Sequence, residues 1–218
     1  MTTIDTIKKY FSSECGFGNY KQIAIDLLKQ TICMLDEFNI NYCLISGTLL
    51  GYVRHNDFIP WDDDIDLLVD SIIFEKMPEI AKKYGNEMNF VVMDYIVKTC
   101  FKDRGNEIEC SWTNRMLNKG DKYNWPFIDL FFYSLPNDKQ IIFFNKKWDV
   151  EQFFPFDRVL FNSIVVNIPK NPDHFLEINY GKDYMAVIRA SKYSHKTEKH
   201  TRVNKAISME DYIHFTNS

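Results

Sequence analysis

The sequence predicts a single α+β domain, and three observations support this fold class. Residues 20–39 carry apolar side chains at helical spacing, with polar side chains between them. Residues 42–45 and 65–69 are short apolar runs of the kind that form buried strands. No Pro/Gly/Ser-rich linker divides the 218 residues, so the length suits one large domain.

Composition narrows the classes of protein that the chain can belong to. It is 45% hydrophobic and 26% charged, which is ordinary for a globular protein, and its net charge of −4 does not suggest a nucleic-acid partner. No apolar run approaches the ~18 residues of a membrane span, and the polar first residues do not resemble a secretory signal. Five cysteines without a C-x-x-C pair argue against a zinc knuckle or a disulfide framework. We therefore expect a cytoplasmic protein.

The first elements are a helix, a strand and a connection to a second strand. The helix over 20–39 leads into the strand at 42–45, and Ser46–Thr48 is expected to form a tight turn. A short helix over 49–55 and a loop over 56–63 then precede the strand at 65–69.

Further strands and two helices follow in the rest of the chain. A helix over 71–84 contains Pro78, which predicts a break or a kink. Strand-like runs occupy 89–95, 96–102 and 107–112, a loop is expected over 114–126, and a strand over 127–133. A strand pair is expected at 139–144 and 158–168, and a helix over 173–180 begins after Pro172 and ends at Gly181.

An acidic cluster, Asp62, Asp63, Asp64 and Asp66, stands at the start of the strand at 65–69. Because side chains alternate along a strand, Asp64 and Asp66 point to the same side, with their Cα atoms about 6–7 Å apart. Two carboxylates so placed can hold a hard divalent cation such as magnesium or manganese. The cation would also offset the repulsion between the carboxylates.

Two neighbouring features extend this hypothesis. Gly47 and Thr48 precede a helix, where a glycine allows close approach and a helix N-terminus favours phosphate; Arg54 is a possible phosphate clamp. Asp129 interrupts an apolar strand, which is costly unless the carboxylate is paired or metal-bound. If its strand lies beside 65–69, Asp129 completes a triad able to arrange two metals about 4 Å apart.

Each of these features also has an ordinary structural interpretation. An Asp-rich loop is usually solvated or caps a helix, and Asp62 and Asp63 are expected to do this or to contact groups around the site. Asp129 can equally be an edge-strand residue that faces water. The combination of turn, helix, D-x-D strand and distant aspartate is more specific than any one of its parts.

The segment SGTLLGYVRHNDFIPWDDDIDLLV closely resembles the signature of the LicD/fukutin-related family. The resemblance continues into WPFIDLFFY and into FFPFDRVLFNSIVVNIPKNPDHFLEINYGKDYM, and covers about 22–185. It implies a nucleotidyltransferase fold like that of DNA polymerase beta, an α+β mixed sheet flanked by helices. The domain would then cover 20–185, after an N-terminal helix or extension (1–19) and before a polar tail (186–218) packed on it.

The resemblance also implies an activity. Family members move a phosphorylated alcohol, such as phosphocholine or ribitol phosphate, from a CDP-activated donor to a glycan. Asp64, Asp66 and Asp129 would then be the magnesium- or manganese-binding catalytic residues, with Asp129 a ligand, a general base or both. Ser46, Gly47 and Thr48 would form the donor-phosphate segment.

Other residues are weaker candidates for substrate binding. Lys102 is a candidate to neutralise phosphate charge, although a solvated strand position is the better explanation for it and for Lys98. Tyr180 is expected to end a helix. His195 and His200 lie in a basic stretch, where contact with donor phosphates or acceptor is favoured over metal binding.

Two alternative functions remain open at this point. A nucleotidyltransferase that moves a nucleoside monophosphate would use the same triad, and would release pyrophosphate instead of CMP. An inactive nucleotide-binding module would keep the fold, but it would have no need of three unpaired carboxylates.

Overall fold

The computed structural model describes residues 3–10, 15–93, 96–110, 120–189, 193–200 and 206–216. The helices in these ranges are α1 (Thr3–Tyr10), α2 (Lys21–Glu37), α3 (Ser46–His55), α4 (Ile73–Tyr84), α5 (Val150–Phe153), α6 (Pro172–Tyr180) and α7 (Met209–Thr216). A single 3-10 turn, Gly18–Tyr20, leads into α2.

Seven of the fifteen described strands belong to one mixed sheet. Its members are β1 (Tyr42–Leu44), β2 (Ile65–Asp70), β3 (Met88–Val92), β4 (Ile96–Phe101), β7 (Ile128–Asn137), β8 (Gln140–Phe143) and β9 (Lys146–Asp149). The remaining strands form two-stranded pairs: β5 (Asn106–Glu109) with β6 (Lys122–Trp125), β10 (Asp157–Phe161) with β11 (Ile164–Ile168), β12 (Val187–Ile188) with β15 (Ile207–Ser208), and β13 (Tyr193–Ser194) with β14 (Lys199–His200).

The order of the main sheet is β1-β2-β7-β4-β3, and β8 and β9 extend it from the far end of β7. Only the β2–β7 pair of this path is parallel; its other neighbours are antiparallel. Helices α2 and α3 contact the sheet at β4 and β2. The prediction of an α+β mixed sheet flanked by helices is confirmed.

Alternation along the central strands places the acidic residues on the side opposite to a row of buried apolar side chains. The apolar side chains Ile65, Leu67, Ile128 and Leu130 are fully buried. Their removal from water supplies the main stabilisation of the sheet. The intervening positions, among them Asp66 and Asp129, face the other side of the sheet.

Several local predictions are wrong or need adjustment. Ser46–Thr48 is not a separate turn, because α3 begins at Ser46, whose φ is +49°. Pro78 does not break α4, which continues to Tyr84, although its ring nitrogen cannot donate to the carbonyl of Phe74. A kink at this position stays a prediction.

Two strand predictions also change. The regions 139–144 and 158–168 do not pair with each other: β8 pairs with β7 and β9, and 157–168 forms its own hairpin. Part of the loop predicted over 114–126 is strand β6, which pairs with β5. Residues 94–95 and 111–119, which belong to other predicted strands and to that loop, lie outside the described residues.

The C-terminal segment contributes side chains to the hydrophobic core. Ile188, Ile207 and Tyr212 belong to the same buried cluster as the sheet. The domain boundaries at 19/20 and 185/186 stay predictions. No helix in the described ranges has both the length and the apolar character needed to cross a bilayer.

Candidate active site

Three charged residues lie in register across three adjacent strands. Asp66 on β2 is paired with Asp129 on β7, which is paired with Lys98 on β4. Asp64 comes two residues before Asp66, where β2 begins. The structure thus brings Asp64, Asp66 and Asp129 together, with a carboxylate oxygen from each lying within 4.8 Å of the others.

The two carboxylates of the D-x-D pair are in a costly environment. Asp64 and Asp66 are each only 9% exposed. Burial raises the pKa of Asp66 well above its usual range, and the charges of Asp64 and Asp129 raise this pKa further. Burial also raises the pKa of Asp64, although His195 opposes the shift. A bound cation would stabilise the charged forms of both groups, so the donor set fits a divalent metal.

The first turn of α3 is fixed against this site. The hydroxyl of Thr48 accepts a hydrogen bond of 2.9 Å from the backbone N–H of Asp66, which ties the helix to β2. Gly47 lies so close to Asp62 that a Cβ atom would overlap the Asp62 carboxylate. The segment Ser46–Thr48 therefore stands beside the triad, and its role in phosphate binding stays a prediction.

A cleft of about 180 Å³ opens next to these residues. It is lined by Gly47, Leu50, Ile59, Trp61, Asp62, Asp64, Asp66, Tyr180, Arg189 and His195. The lining combines acidic side chains with apolar and aromatic ones. Such a wall can bind a nucleotide whose phosphates approach the carboxylates and whose base contacts the apolar part.

Lys98 neutralises Asp129 within the sheet. Its ammonium group donates hydrogen bonds to both carboxylate oxygens of Asp129, at 2.8 and 2.9 Å. The same group lies 3.6 Å from the centre of the Phe127 ring. Lys98 is 4% exposed and Asp129 is 3% exposed, so the pair is a buried ion pair.

The other two predicted phosphate ligands do not line the cleft. Lys102 follows the end of β4, is exposed, and donates to the carbonyl of Gly85 at the outer edge of the sheet. Arg54 donates to the backbone carbonyls of Tyr184 (2.8 Å) and Val187 (3.4 Å). Neither is among the described residues that line the cleft. For Lys102 the reason is the strand register, which places Lys98 beside the triad. Arg54 lies next to the lining, with its guanidinium carbon 5.8 Å from the centre of the Trp61 ring, and its role in phosphate binding stays a prediction.

His195 reaches the triad from the distant C-terminal segment. Its Nε2 atom is 3.1 Å from Oδ2 of Asp64. Asp63 holds this segment: its carboxylate accepts from the Ser194 hydroxyl (3.0 Å) and from the N–H groups of His195 (3.3 Å) and Lys196 (3.1 Å). Asp63 is thus buried and contacts groups around the site, which was one of its two predicted roles. The side chain of His200 lies outside the described part of the chain.

Sequence reasoning missed or undervalued three residues of the site: Lys98, Tyr180 and Arg189. A signal existed for Lys98, because a lysine in an apolar strand is as unusual as the aspartate in 127–133 and suggests a pair. Tyr180 ends α6 as predicted, but it also lines the cleft. Arg189 lines the cleft while paired with Asp183 at 2.7 Å, and nothing in its local sequence indicated this position.

Known proteins show where this chain belongs. It is 28% identical over 123 residues to "Lipopolysaccharide cholinephosphotransferase LicD" of Haemophilus influenzae, covering 56% of this chain and 46% of that protein. It is 36% identical over 64 residues to human "Ribitol 5-phosphate transferase FKRP", covering 29% of this chain and 12% of that protein. The chain thus spans less than half the length of each of these two relatives.

A solved structure and a family model were also matched. The crystal structure of the lincosamide antibiotic adenylyltransferase LnuA with lincomycin bound aligns with a TM-score of 0.40 and 10% identity, over 66% of this chain and 79% of that one. The family model "LicD/FKTN/FKRP, nucleotidyltransferase domain" matches residues 39–171, which include β1, β2, β7 and the whole triad. The match covers more than half of the chain, and the chain therefore belongs to the LicD/FKTN/FKRP nucleotidyltransferase-domain family.

Proposed function

We propose that the protein is a metal-dependent transferase that moves a phosphorylated alcohol from a CDP-activated donor to a glycan hydroxyl. One observation carries the proposal: three carboxylates from two separate parts of the chain converge within 4.8 Å beside a cleft. The names of the relatives support it, since one is a cholinephosphotransferase and another a ribitol 5-phosphate transferase. The transferred group would accordingly be of the phosphocholine or ribitol-phosphate type.

The carboxylate residues would hold magnesium or manganese. Asp64 and Asp66 line the cleft, and an oxygen of Asp129 completes the set. When bound, the ion would supply positive charge that stabilises the phosphates and lowers the barrier to displacement. The raised pKa values of Asp64 and Asp66 support this assignment, because buried carboxylates at such positions are stabilised by a cation.

The chain itself would bind and orient the two substrates. Gly47, in the N-terminal turn of α3, lines the cleft, and a helix N-terminus favours a donor phosphate. Arg189 stands at the cleft and can exchange the Asp183 carboxylate for a phosphate. Trp61 and Tyr180 offer aromatic surface to the nucleoside.

The transfer reaction has a simple bond balance. The acceptor oxygen joins the phosphorus that carries the alcohol, and the bond from that phosphorus to the bridging oxygen breaks. CMP and the proton of the acceptor hydroxyl are released. A nucleoside monophosphate transfer would instead release pyrophosphate from a triphosphate, which makes the two activities separable by product.

The test is product analysis with defined donors. CDP-choline, CDP-ribitol and CTP are each incubated with the protein and a glycan acceptor, with magnesium or with EDTA. We expect CMP from one of the CDP-alcohols, only when metal is present, and no pyrophosphate from CTP. Release of pyrophosphate from CTP by the wild type, but not by the Asp64→Asn/Asp66→Asn double variant, would instead support nucleotidyl transfer.

Calorimetry tests the role of the metal independently of turnover. CDP-choline and CDP-ribitol are titrated into the protein with magnesium and with EDTA. We expect the donor to bind more weakly in EDTA, because its phosphates would then face uncompensated carboxylates. Equal affinities under the two conditions would rule out a metal-bridged donor.

A further inference from the structure

We infer that the ammonium group of Lys98 takes the place of a second metal ion, so that the active site binds one divalent ion per chain. The inference rests on the proposed function, because it concerns the same carboxylates. It departs from the two-metal arrangement that three converging carboxylates can support. Lys98 would then be a positioning residue that acts through Asp129.

The ammonium group of Lys98 is already engaged by Asp129 and Phe127. An ammonium group has three donors. Two of them reach the two oxygens of Asp129, at 2.8 and 2.9 Å, and the ring of Phe127 lies 3.6 Å from the nitrogen. With 5% of its side chain exposed, Lys98 has little access to water as an alternative partner. It is therefore held on Asp129.

This arrangement restricts what Asp129 can offer to metal ions. In two-metal sites the ions lie about 3.5–4 Å apart and share carboxylates. A carboxylate oxygen has two lone pairs, so Asp129 can accept from Lys98 and still give one oxygen to an ion near Asp66. A second ion on the Lys98 side would have to occupy the position of the ammonium nitrogen. Asp129 is also absent from the described lining of the cleft, whereas Asp64 and Asp66 are part of it.

Manganese binding followed by electron paramagnetic resonance tests this directly. Free Mn²⁺ is counted during titration of the wild type, with and without CDP-choline, and we expect one bound ion per chain in both cases. Lys98→Met keeps an unbranched side chain but removes the charge, which frees both oxygens of Asp129. We expect this variant to bind two ions. Lys102→Met is the matched control, because this exposed lysine at the end of β4 lies outside the cleft, and its count should stay at one.

Every outcome of the titration decides the matter. Two ions in the wild type would overturn the inference and leave the proposed function standing. No bound ion, with or without CDP-choline, would overturn both. One ion in a folded Lys98→Met variant would show that Lys98 is not what excludes the second ion. If circular dichroism shows that Lys98→Met does not fold, the wild-type count with CDP-choline decides alone.

Discussion

Asp66 and Asp70 lie four residues apart on the same side of β2, in very different surroundings. Asp66 is buried among other carboxylates, which raise its pKa. Asp70 accepts hydrogen bonds from the N–H of Ile72 (2.9 Å) and from the hydroxyl of Tyr133 (3.3 Å). The first environment is typical of a metal ligand, and the second is typical of a structural carboxylate.

Replacement of Asp66 by asparagine should separate activity from stability. We expect CMP release to fall by at least about 100-fold, because metal charge contributes several kcal/mol at the transition state and about 1.36 kcal/mol corresponds to tenfold. In EDTA the melting temperature should stay the same or rise, since one of three repelling carboxylates is removed.

Asp70→Asn is the matched control on the same strand. It should retain activity and lower stability by about 1 kcal/mol, because Asp70 holds backbone and side-chain donors. A clear loss of melting temperature with retained activity in Asp66→Asn would return the acidic cluster to a purely structural role.

His55 predicts a specific acid sensitivity. Burial, and then the charge of Arg54, lower the pKa of His55 to about 4 from its ordinary 6.5. Between these values the unfolded chain binds a proton that the folded chain does not, so stability is lost as pH falls through this window. The shift corresponds to at most about 3 kcal/mol, which partial exposure of the ring reduces.

His55→Gln should therefore lose less stability in acid than the wild type. Glutamine keeps a hydrogen-bond acceptor for Arg54, whose Nε donates to the His55 ring at 3.0 Å, but it does not titrate. Melting temperatures are compared at pH 7, 5.5 and 4.5. Parallel curves for the two proteins would show that His55 does not contribute to the acid sensitivity.

Individual residues of the site were predictable where the signal was local. Alternation placed Asp64 and Asp66 on one side of a strand, and the apolar neighbours of Asp129 marked it as unusual. Lys98 and Arg189 depend on strand register and on the path of the C-terminal segment. Spacing along the chain does not contain this information, which is why Lys102 was preferred to Lys98.

Helix α3 contains two glycines, Gly47 and Gly51, that lie very close to neighbouring groups. A Cβ atom at Gly47 would displace the Asp62 carboxylate, which is the end of a side chain. A Cβ atom at Gly51 would lie 2.6 Å from the backbone oxygen of Asp57 and 3.1 Å from the backbone nitrogen of Ile59. A methyl group at Gly47 can therefore be accommodated by rotation of one side chain, whereas a methyl group at Gly51 requires the backbone to move.

Gly47→Ala and Gly51→Ala should have opposite effects. Gly47→Ala should leave the melting temperature unchanged or raise it, because alanine favours a helix by about 1 kcal/mol. Its displaced Asp62 carboxylate should narrow the cleft and weaken CDP-alcohol binding about tenfold, or about 1.4 kcal/mol. Gly51→Ala should destabilise by about 1–3 kcal/mol, since backbone must move. Thermal melts measure the stability of the two variants, and calorimetry measures their affinity for the CDP-alcohol. Equal destabilisation of the two variants would refute the difference expected between Gly47 and Gly51.

The elements themselves were predicted best where their patterns were long. Helix α2 and strands β2 and β7 follow from apolar periodicity that extends over most of their length. The partners of β8 were not predictable, because short strands can pair in several ways and only tertiary packing selects one. The start of α3 at Ser46 was missed because Ser46 has a positive φ, which is uncommon for a residue other than glycine and is not indicated by the local sequence.

At the scale of the whole molecule, Asp63 joins the sheet to the C-terminal segment. It lies 131 to 133 positions before Ser194, His195 and Lys196, and it accepts a hydrogen bond from each of them. The indole N–H of Trp125 donates to the backbone oxygen of Asp63 at 2.6 Å, which fixes the residue from the side of β6. Through these contacts, the acidic cluster of the signature positions His195 on Asp64.

Asp63→Asn should release this segment while leaving the sheet intact. Both carboxylate oxygens of Asp63 accept hydrogen bonds, whereas the side chain of asparagine has only one acceptor oxygen. Its NH₂ group would face one or two of the donors, so at least one of the three hydrogen bonds is lost. We expect a loss of about 1–3 kcal/mol in unfolding free energy. Hydrogen exchange should rise over 193–200 and stay slow in β2 and β7, whose backbone partners are unchanged.

Asp62→Asn, one residue earlier and within the cleft lining, is the control that should leave exchange over 193–200 as in the wild type. Unchanged protection of 193–200 in Asp63→Asn would mean that the segment is held by its other contacts, and that His195 does not owe its place beside Asp64 to Asp63.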